Sequence, residues 1–207
     1  MNTLISPDNI NLSRPFHFVN EGASSKARIG GNMPEGLSIS LDENAQYFGT
    51  FPLYEDESQL YFSLFINCSF KEFVIDWHGS IKDSNKIMIA LHEYRPRSES
   101  AQYASRLKSQ HSIEILKTRE DIHQSDTGEL VVREGHKFGG TPYCLQEPKL
   151  IGWEELLAQG YRQILQIDFP SLEDGAVSGS WPFGDGIFNL FWKHPFEEEK
   201  YFWCVQS

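Results

Sequence analysis

Two pairs of side chains in the C-terminal half have the residue types of hydrolytic sites. Asp168 and Asp185 could form a carboxylate pair that acts as general acid and base. His136 and Cys144 are the residue types of a base and a nucleophile. Neither pair has the spacing of a catalytic motif, and no third, orienting group is identified. These residues support the alternative functional hypothesis, a hydrolase with its active site in a cleft between two lobes. The leading hypothesis, a protein-binding module, is given below.

His136 opens a stretch with two adjacent glycines and a proline, Gly139-Gly140-Thr-Pro142. Glycines without a Cβ could let a ligand approach the backbone, but a turn that needs positive φ is the favoured interpretation. No Gly-Lys-Ser/Thr sequence follows, so the stretch does not match a phosphate-binding loop. We therefore predict a structural turn.

The strand predicted after this turn places Gln166 and Asp168 on one face, because side chains alternate along a strand. A buried carboxylate without a partner is very costly, so both side chains need hydrogen bonds. The favoured partner is a backbone amide of the glycine turn, and the alternative is a polar cleft that binds a ligand.

The candidate binding residues come from the glycine turn, this strand and the loops that follow it: Gly139, Gly140, Pro142, Gln146, Gln166, Asp168, Trp181 and Asp185. Trp181 lies in a predicted loop, where exposed aromatic side chains often mark binding surfaces. Asp185 lies between two glycines and is expected to cap a turn through its own backbone. Asp76 and His78 share a strand face but lack a third ligand, so the sequence predicts no metal site and no cofactor.

Composition limits the class of partner. The chain has 207 residues, enough to bury a sizeable core, and a formal net charge of −11. Lys and Arg do not cluster, which disfavours nucleic acid as a partner and is compatible with a basic protein, such as a toxin. The cysteines (Cys68, Cys144 and Cys204) form no CxxC pair and indicate reduced thiols in a cytoplasmic protein. No apolar run approaches the ~20 residues of a membrane span.

Hydrophobic periodicity predicts mostly strands. Strand-like runs occupy residues 37–41, 59–67, 72–77, 86–92, 113–116, 130–133, 162–169, 187–192 and 201–205, and helical patterns occupy 98–109 and 151–160. Residues 1–20 are polar and turn-prone, with Arg14-Pro15 among the turn signals. The expected fold class is α+β: β-rich, mostly antiparallel sheets with a few short helices.

The two halves repeat one order of features. Each has a basic–apolar–Gly–Gly turn (Arg28-Ile-Gly-Gly31 and Lys137-Phe-Gly-Gly140), a strand ending in Phe-Pro, an acidic loop and an aromatic strand. Such internal similarity predicts a duplication. We expect one domain over residues 1–207, with lobe one at about 1–97 and lobe two at about 113–207.

Three segments of the second half resemble the YwqG-like bacterial family, a domain of unknown function built from two related halves. They are His136-Lys-Phe-Gly-Gly-Thr-Pro142 with Gln146, Gln163-Ile-Leu-Gln-Ile-Asp168, and Gly184-Asp-Gly-Ile-Phe-Asn-Leu-Phe191. The Gly-Gly-x-Pro and Gln-Ile elements are more remotely similar to the eukaryotic programmed cell death protein 2 group, which is linked to ribosome maturation. The resemblance implies a two-lobed fold and makes binding or chaperone roles plausible.

The leading functional hypothesis is a non-enzymatic protein-binding module: an adaptor, a chaperone-like protein or an immunity protein against a toxin. It depends on the acidic charge, on the missing catalytic motif and on the roles that the resemblance implies.

Overall fold

The computed structural model of the chain describes residues 11–20, 26–37, 39, 45–53, 60–67, 86–99, 105–107, 110–143, 153–170, 177, 181–183, 186–193 and 201–206. These residues form thirteen strands and one helix. The strands are β1 (Leu12–Asn20), β2 (Arg28–Ile29), β3 (Ala45–Pro52), β4 (Leu60–Asn67), β5 (Ile87–Glu93), β6 (His111–Ile115), β7 (Arg119–Glu120), β8 (Ile122–Gln124), β9 (Leu130–Val132), β10 (Lys137–Gly139), β11 (Tyr161–Ile167), β12 (Ile187–Lys193) and β13 (Tyr201–Gln206). The helix is α1 (Trp153–Ala158).

The expected α+β class is wrong, because the described part of the chain is almost entirely β. The helix predicted over 151–160 is reduced to the six residues of α1 and is followed by Gly160 at a φ of +87°. The helix predicted over 98–109 is not supported by its described residues. Ser105 there donates its backbone N–H to the carbonyl of Gly31. A helix of six residues is marginal in water by itself, so α1 depends on packing against the sheet.

Eleven strands form one antiparallel sheet in the order β13-β12-β11-β10-β1-β6-β2-β3-β4-β5, with β7 also paired to β1. Strands β8 and β9 form a separate hairpin. The large sheet curls into a nearly closed barrel. The Tyr201 hydroxyl on β13 bridges its two end strands by donating to the Ile87 carbonyl on β5, at 3.0 Å. No helix in the described residues is long and apolar enough to cross a membrane.

The strand order is symmetric about the β1–β6 pair. Strands β2 to β5 lie on one side and β10 to β13 on the other, while β6 pairs with β2 and β1 with β10. The β3–β4 and β11–β12 pairs each carry one register shift, after Tyr47 and after Gln163. Matching registers therefore align three strands of each half, giving the rows Arg28–Thr50–Ser63 and Lys137–Gln166–Asn189.

One hydrophobic core fills the inside of the curled sheet. Alternate residues of β4 and β12 point into it, with the same types at matching positions: Phe62 and Leu64, and Phe188 and Leu190. The residues between them (Ser63 and Asn189) are equally buried but face the other side of the sheet. Each half therefore has a row of buried polar side chains on its outer face.

Strand β1 lies in a segment expected to be irregular. Pro15 has no backbone N–H and would interrupt an ordinary ladder. Here it lies where β1 changes neighbours, opposite the break between β7 and β6, and its carbonyl accepts the N–H of Leu116. The missing donor is therefore tolerated, and β1 joins the two halves of the sheet.

Candidate functional site

The glycine turn lies over a buried ion pair. Gly139 and Gly140 have φ of 67° and 83°, the left-handed conformations that the turn interpretation predicts. Next to them, the Lys137 ammonium contacts the Asp121 carboxylate at 2.9 Å, and these side chains are 1% and 0% exposed. Both ions are satisfied: Lys137 also donates to the carbonyls of Arg133 and Thr141. A buried ion pair is stable only when such hydrogen bonds accompany it.

Asp121 explains why position 140 is glycine. Its carboxylate accepts hydrogen bonds from the Ser13 hydroxyl at 2.5 Å and from the Thr141 backbone N–H at 2.6 Å. A Cβ added to Gly140 would lie 1.9 Å from Asp121 Oδ2. The turn therefore wraps tightly around a carboxylate of its own chain, which favours the structural interpretation over a ligand site. Pro142, the next candidate, is buried.

Gln166 and Asp168 bind the backbone on either side of this turn. The Gln166 side chain accepts the N–H of Tyr143 at 2.9 Å and donates to the carbonyl of Gly135 at 2.9 Å. The Asp168 carboxylate accepts the N–H groups of Gly135 and Phe169, at 3.2 and 2.7 Å. The partners are backbone groups, as predicted, but they flank the glycine pair instead of belonging to it.

The residues of the hydrolase hypothesis are engaged in similar contacts. His136 accepts the backbone N–H of Asp168 through Nδ1 at 3.0 Å, and its ring packs against Phe16 and Phe18. That nitrogen is therefore not available as a base. Cys144, Asp185 and Gln146 lie outside the described residues, as do Asp76 and His78. Within the described part of the chain, no three His, Cys, Asp or Glu side chains form a group that could hold a metal ion.

Trp181 lies at the edge of the core beside an exposed aromatic residue. Its ring packs against Phe48 and Phe183 inside the barrel, with centroids 5.6 and 5.8 Å away. On its other side lies Phe169, which is 50% exposed and 6.5 Å away. Among the described residues, the buried Trp181 Nε1–H has no hydrogen-bond acceptor. Buried indoles usually have one, so this donor is an unusual feature of the site.

Acidic groups lie beside Phe169 in the sequence and beside Tyr143 in the structure. Asp168 directly precedes Phe169, and Gly135, which binds its carboxylate, follows Glu134. The Tyr143 hydroxyl donates to Glu134 at 2.8 Å. This hydrogen bond, together with burial and the charges of Glu134 and Asp168, raises the pKa of Tyr143 to about 12, so the phenol stays protonated. We call Glu134, Tyr143, Asp168, Phe169 and Trp181 the acidic aromatic patch.

A second polar network lies on the outer face of the first half and was not predicted. Hydroxyl groups connect Tyr47 to Thr50 at 2.7 Å and Thr50 to Ser63 at 2.8 Å, and Ser63 contacts His92 Nε2 at 2.8 Å. His92 Nδ1 lies 2.6 Å from the Glu93 carbonyl, which can only accept. Nδ1 therefore carries the proton, and Nε2 accepts from Ser63.

This network resembles a nucleophile–base pair, but its surroundings indicate a structural role. Burial lowers the pKa of His92, and the positive charges of Arg95 and Arg28 lower it further, so the ring is neutral near pH 7. Ser63, however, is 0% exposed, so substrate cannot reach its hydroxyl in this structure. No sequence pattern identifies the pair, because Ser63 lies within an apolar run and His92 is 29 residues away.

Comparison with family models and with curated proteins finds no match to this chain.

Proposed function

We propose that this chain is a non-enzymatic protein-binding module whose acidic aromatic patch takes a basic partner protein. The observation that carries the proposal is Phe169, which is half exposed, packs on Trp181 and directly follows the acidic residue Asp168. Aromatic side chains that join an exposed surface to a rigid core are typical anchors of protein interfaces, because little conformational entropy is lost on binding.

Charge supports a basic partner. The net charge of −11 would attract a basic protein over a long range and speed its association. Glu134 and Asp168 would then contact Lys or Arg side chains at the rim, while an apolar side chain of the partner packs on Phe169. Adaptor, chaperone-like and toxin-immunity roles in the cytoplasm all fit this mode of binding.

The unpaired Trp181 indole supports the same site. A buried donor without an acceptor costs about 1–3 kcal/mol. A partner that binds beside Trp181 could supply an acceptor, which would recover part of that energy on binding. The hydrolase alternative lacks comparable support, since the Asp168 carboxylate and His136 Nδ1 already accept hydrogen bonds from backbone N–H groups.

The test is quantitative affinity capture from cells with three baits: wild type, Phe169→Ala and Leu130→Ala. Leu130 is the matched control, because it is also an exposed apolar residue (77%) but lies on the separate β8–β9 hairpin. We expect a basic protein at near-equal stoichiometry with wild type and Leu130→Ala, and its loss with Phe169→Ala. Equal recovery with all three baits would place the interface elsewhere, and no stoichiometric partner would contradict the proposal.

A further inference from the structure

Strand β5 is an end strand of the sheet, and the ladder fixes which of its backbone groups face outward. The Asn67 N–H donates to the Lys86 carbonyl, and the β4–β5 register continues from that pair. Hydrogen bonds recur at alternate residues of an antiparallel ladder, so Met88 and Ala90 bind β4. Ile89 and Leu91 therefore point their N–H and C=O groups away from the sheet.

These outward groups have no partner among the described residues. Among the described residues, the Tyr201 hydroxyl of β13 reaches across this edge and donates to the Ile87 carbonyl. Since a side chain makes that contact, β5 and β13 lie further apart there than the ~4.7–4.9 Å of paired strands. We call the space between β5 and β13 the seam.

The seam also has apolar walls. The side chains of Ile89, Leu91 and Tyr201 pack on the hydrophobic core but are only partly buried. A chain lying in the seam would hydrogen-bond to the β5 edge and place every second side chain against these three residues, because side chains alternate along a strand.

We propose that the seam binds one extended segment of a basic protein by strand addition to β5, with apolar side chains at alternate positions. Two observations favour such a segment over a second copy of this chain. Strand β13 lies within one side chain's reach of β5, which restricts the approach of another folded barrel. The charge of −11 on each copy also opposes self-association. Main-chain hydrogen bonds would supply affinity, and the alternate side chains would supply selectivity.

The first measurement is amide hydrogen exchange of the free protein by NMR. The N–H groups of Ile89 and Leu91 should exchange at least ~100-fold faster than those of Met88 and Ala90, which lie in the ladder. Equal protection of all four amides in the free protein would overturn the proposal, because the β5 edge would then already be paired.

The second measurement uses a phage-displayed library of random nine-residue peptides as the probe. Selected peptides should alternate apolar residues with Lys or Arg, and the tightest synthetic one should slow the exchange of Ile89 and Leu91. Ile89→Pro removes an outward N–H while leaving the ladder to β4, and proline is tolerated on edge strands in this orientation. It should weaken binding by up to about tenfold, which corresponds to the loss of one backbone hydrogen bond.

Phe169→Ala separates the two proposals and should leave the affinity of these peptides unchanged. Peptides that lose affinity with Phe169→Ala but not with Ile89→Pro would occupy the acidic aromatic patch, and strand addition would be wrong while the proposed function stands. Failure to select any peptide that protects Ile89 and Leu91 would also reject strand addition. A dimer that protects the same two amides would identify a second copy as the occupant, against the proposal.

Discussion

Replacement of Gly140 by alanine should destabilise the protein far more than the same change at Gly135. Both residues have positive φ, 83° and 88°, and both lie in loops around the Lys137 ion pair. They differ in the space around an added Cβ. At Gly135 no atom lies within 4 Å, whereas at Gly140 the Cβ would lie 1.9 Å from Asp121 Oδ2 and 2.8 Å from Ser13 Cβ.

The magnitudes follow from these distances. The left-handed conformation costs about 1–2 kcal/mol for alanine, and Gly135→Ala should lose only that amount. Gly140→Ala should also displace the Asp121 carboxylate from Lys137 and Thr141. Separating a buried ion pair costs about 3–5 kcal/mol, so we expect a total loss of about 4–7 kcal/mol. This approaches the whole stability of a typical domain, about 5–15 kcal/mol.

Equilibrium urea unfolding, followed by far-ultraviolet circular dichroism, measures both losses. A Gly140→Ala/Asp121→Ala double variant provides the control. Because the clash is with Asp121, the double variant should lose less stability than the sum of the two single variants. Equal losses for Gly140→Ala and Gly135→Ala, or additive losses in the double variant, would refute the role assigned to the glycine turn.

Three further predictions concern the network, the seam and the core. Burial lowers the pKa of His92, so below about pH 6.5 the unfolded chain binds a proton that the folded protein does not, and the free energy of unfolding should fall. His92→Gln should reduce the difference in stability between pH 7.5 and pH 5 in urea unfolding, and an unchanged difference would contradict this prediction. Tyr201→Phe removes the hydrogen bond to Ile87 and should cost about 1 kcal/mol in the same assay, whereas no loss would show that this bond does not hold the seam. Phe188→Ala should lower the free energy of unfolding by about 3–5 kcal/mol because the ring is fully buried, whereas Leu130→Ala should lower it by less than about 0.5 kcal/mol. Thermal unfolding midpoints that fall equally in the two variants would place the core elsewhere.

The predictable part of the fold lies where hydrophobic patterning is strong. The apolar runs around Phe62 and Phe188 predicted strands, and the structure has β4 and β12 there. The glycine turns were predictable because only glycine takes positive φ without cost. The sequence does not predict strand β1, because Pro15 argues against a strand. Proline is tolerated there because β1 pairs with β7 before Pro15 and with β6 after it.

The repeat shows what sequence comparison alone could not align. Matching the Phe-Pro pairs makes Pro52 equivalent to Pro170. The sheet registers instead make Thr50 equivalent to Gln166, and therefore Pro52 equivalent to Asp168. Register depends on the pairing with β2 and β10, which leaves no mark in the strand's own sequence.

The site was harder to predict than the fold. Asp121 lies in a polar loop without a pattern, and its role depends on Lys137 and Ser13, which are 16 and 108 residues away. The sequence marks Trp181 as a loop aromatic, whereas hydrophobic periodicity predicts Phe169 as the end of a strand. Its exposure depends on how β11 ends, which periodicity does not resolve.

Titration of the captured basic partner into wild type and Phe169→Ala by isothermal calorimetry tests the protein-binding proposal most directly. The proposal predicts that Phe169→Ala weakens binding by at least about 2 kcal/mol, or about 30-fold, as expected for an aromatic anchor. Leu130→Ala should bind like wild type, and higher salt should weaken every complex by screening the acidic rim. An affinity that is the same for Phe169→Ala and wild type would contradict the proposal.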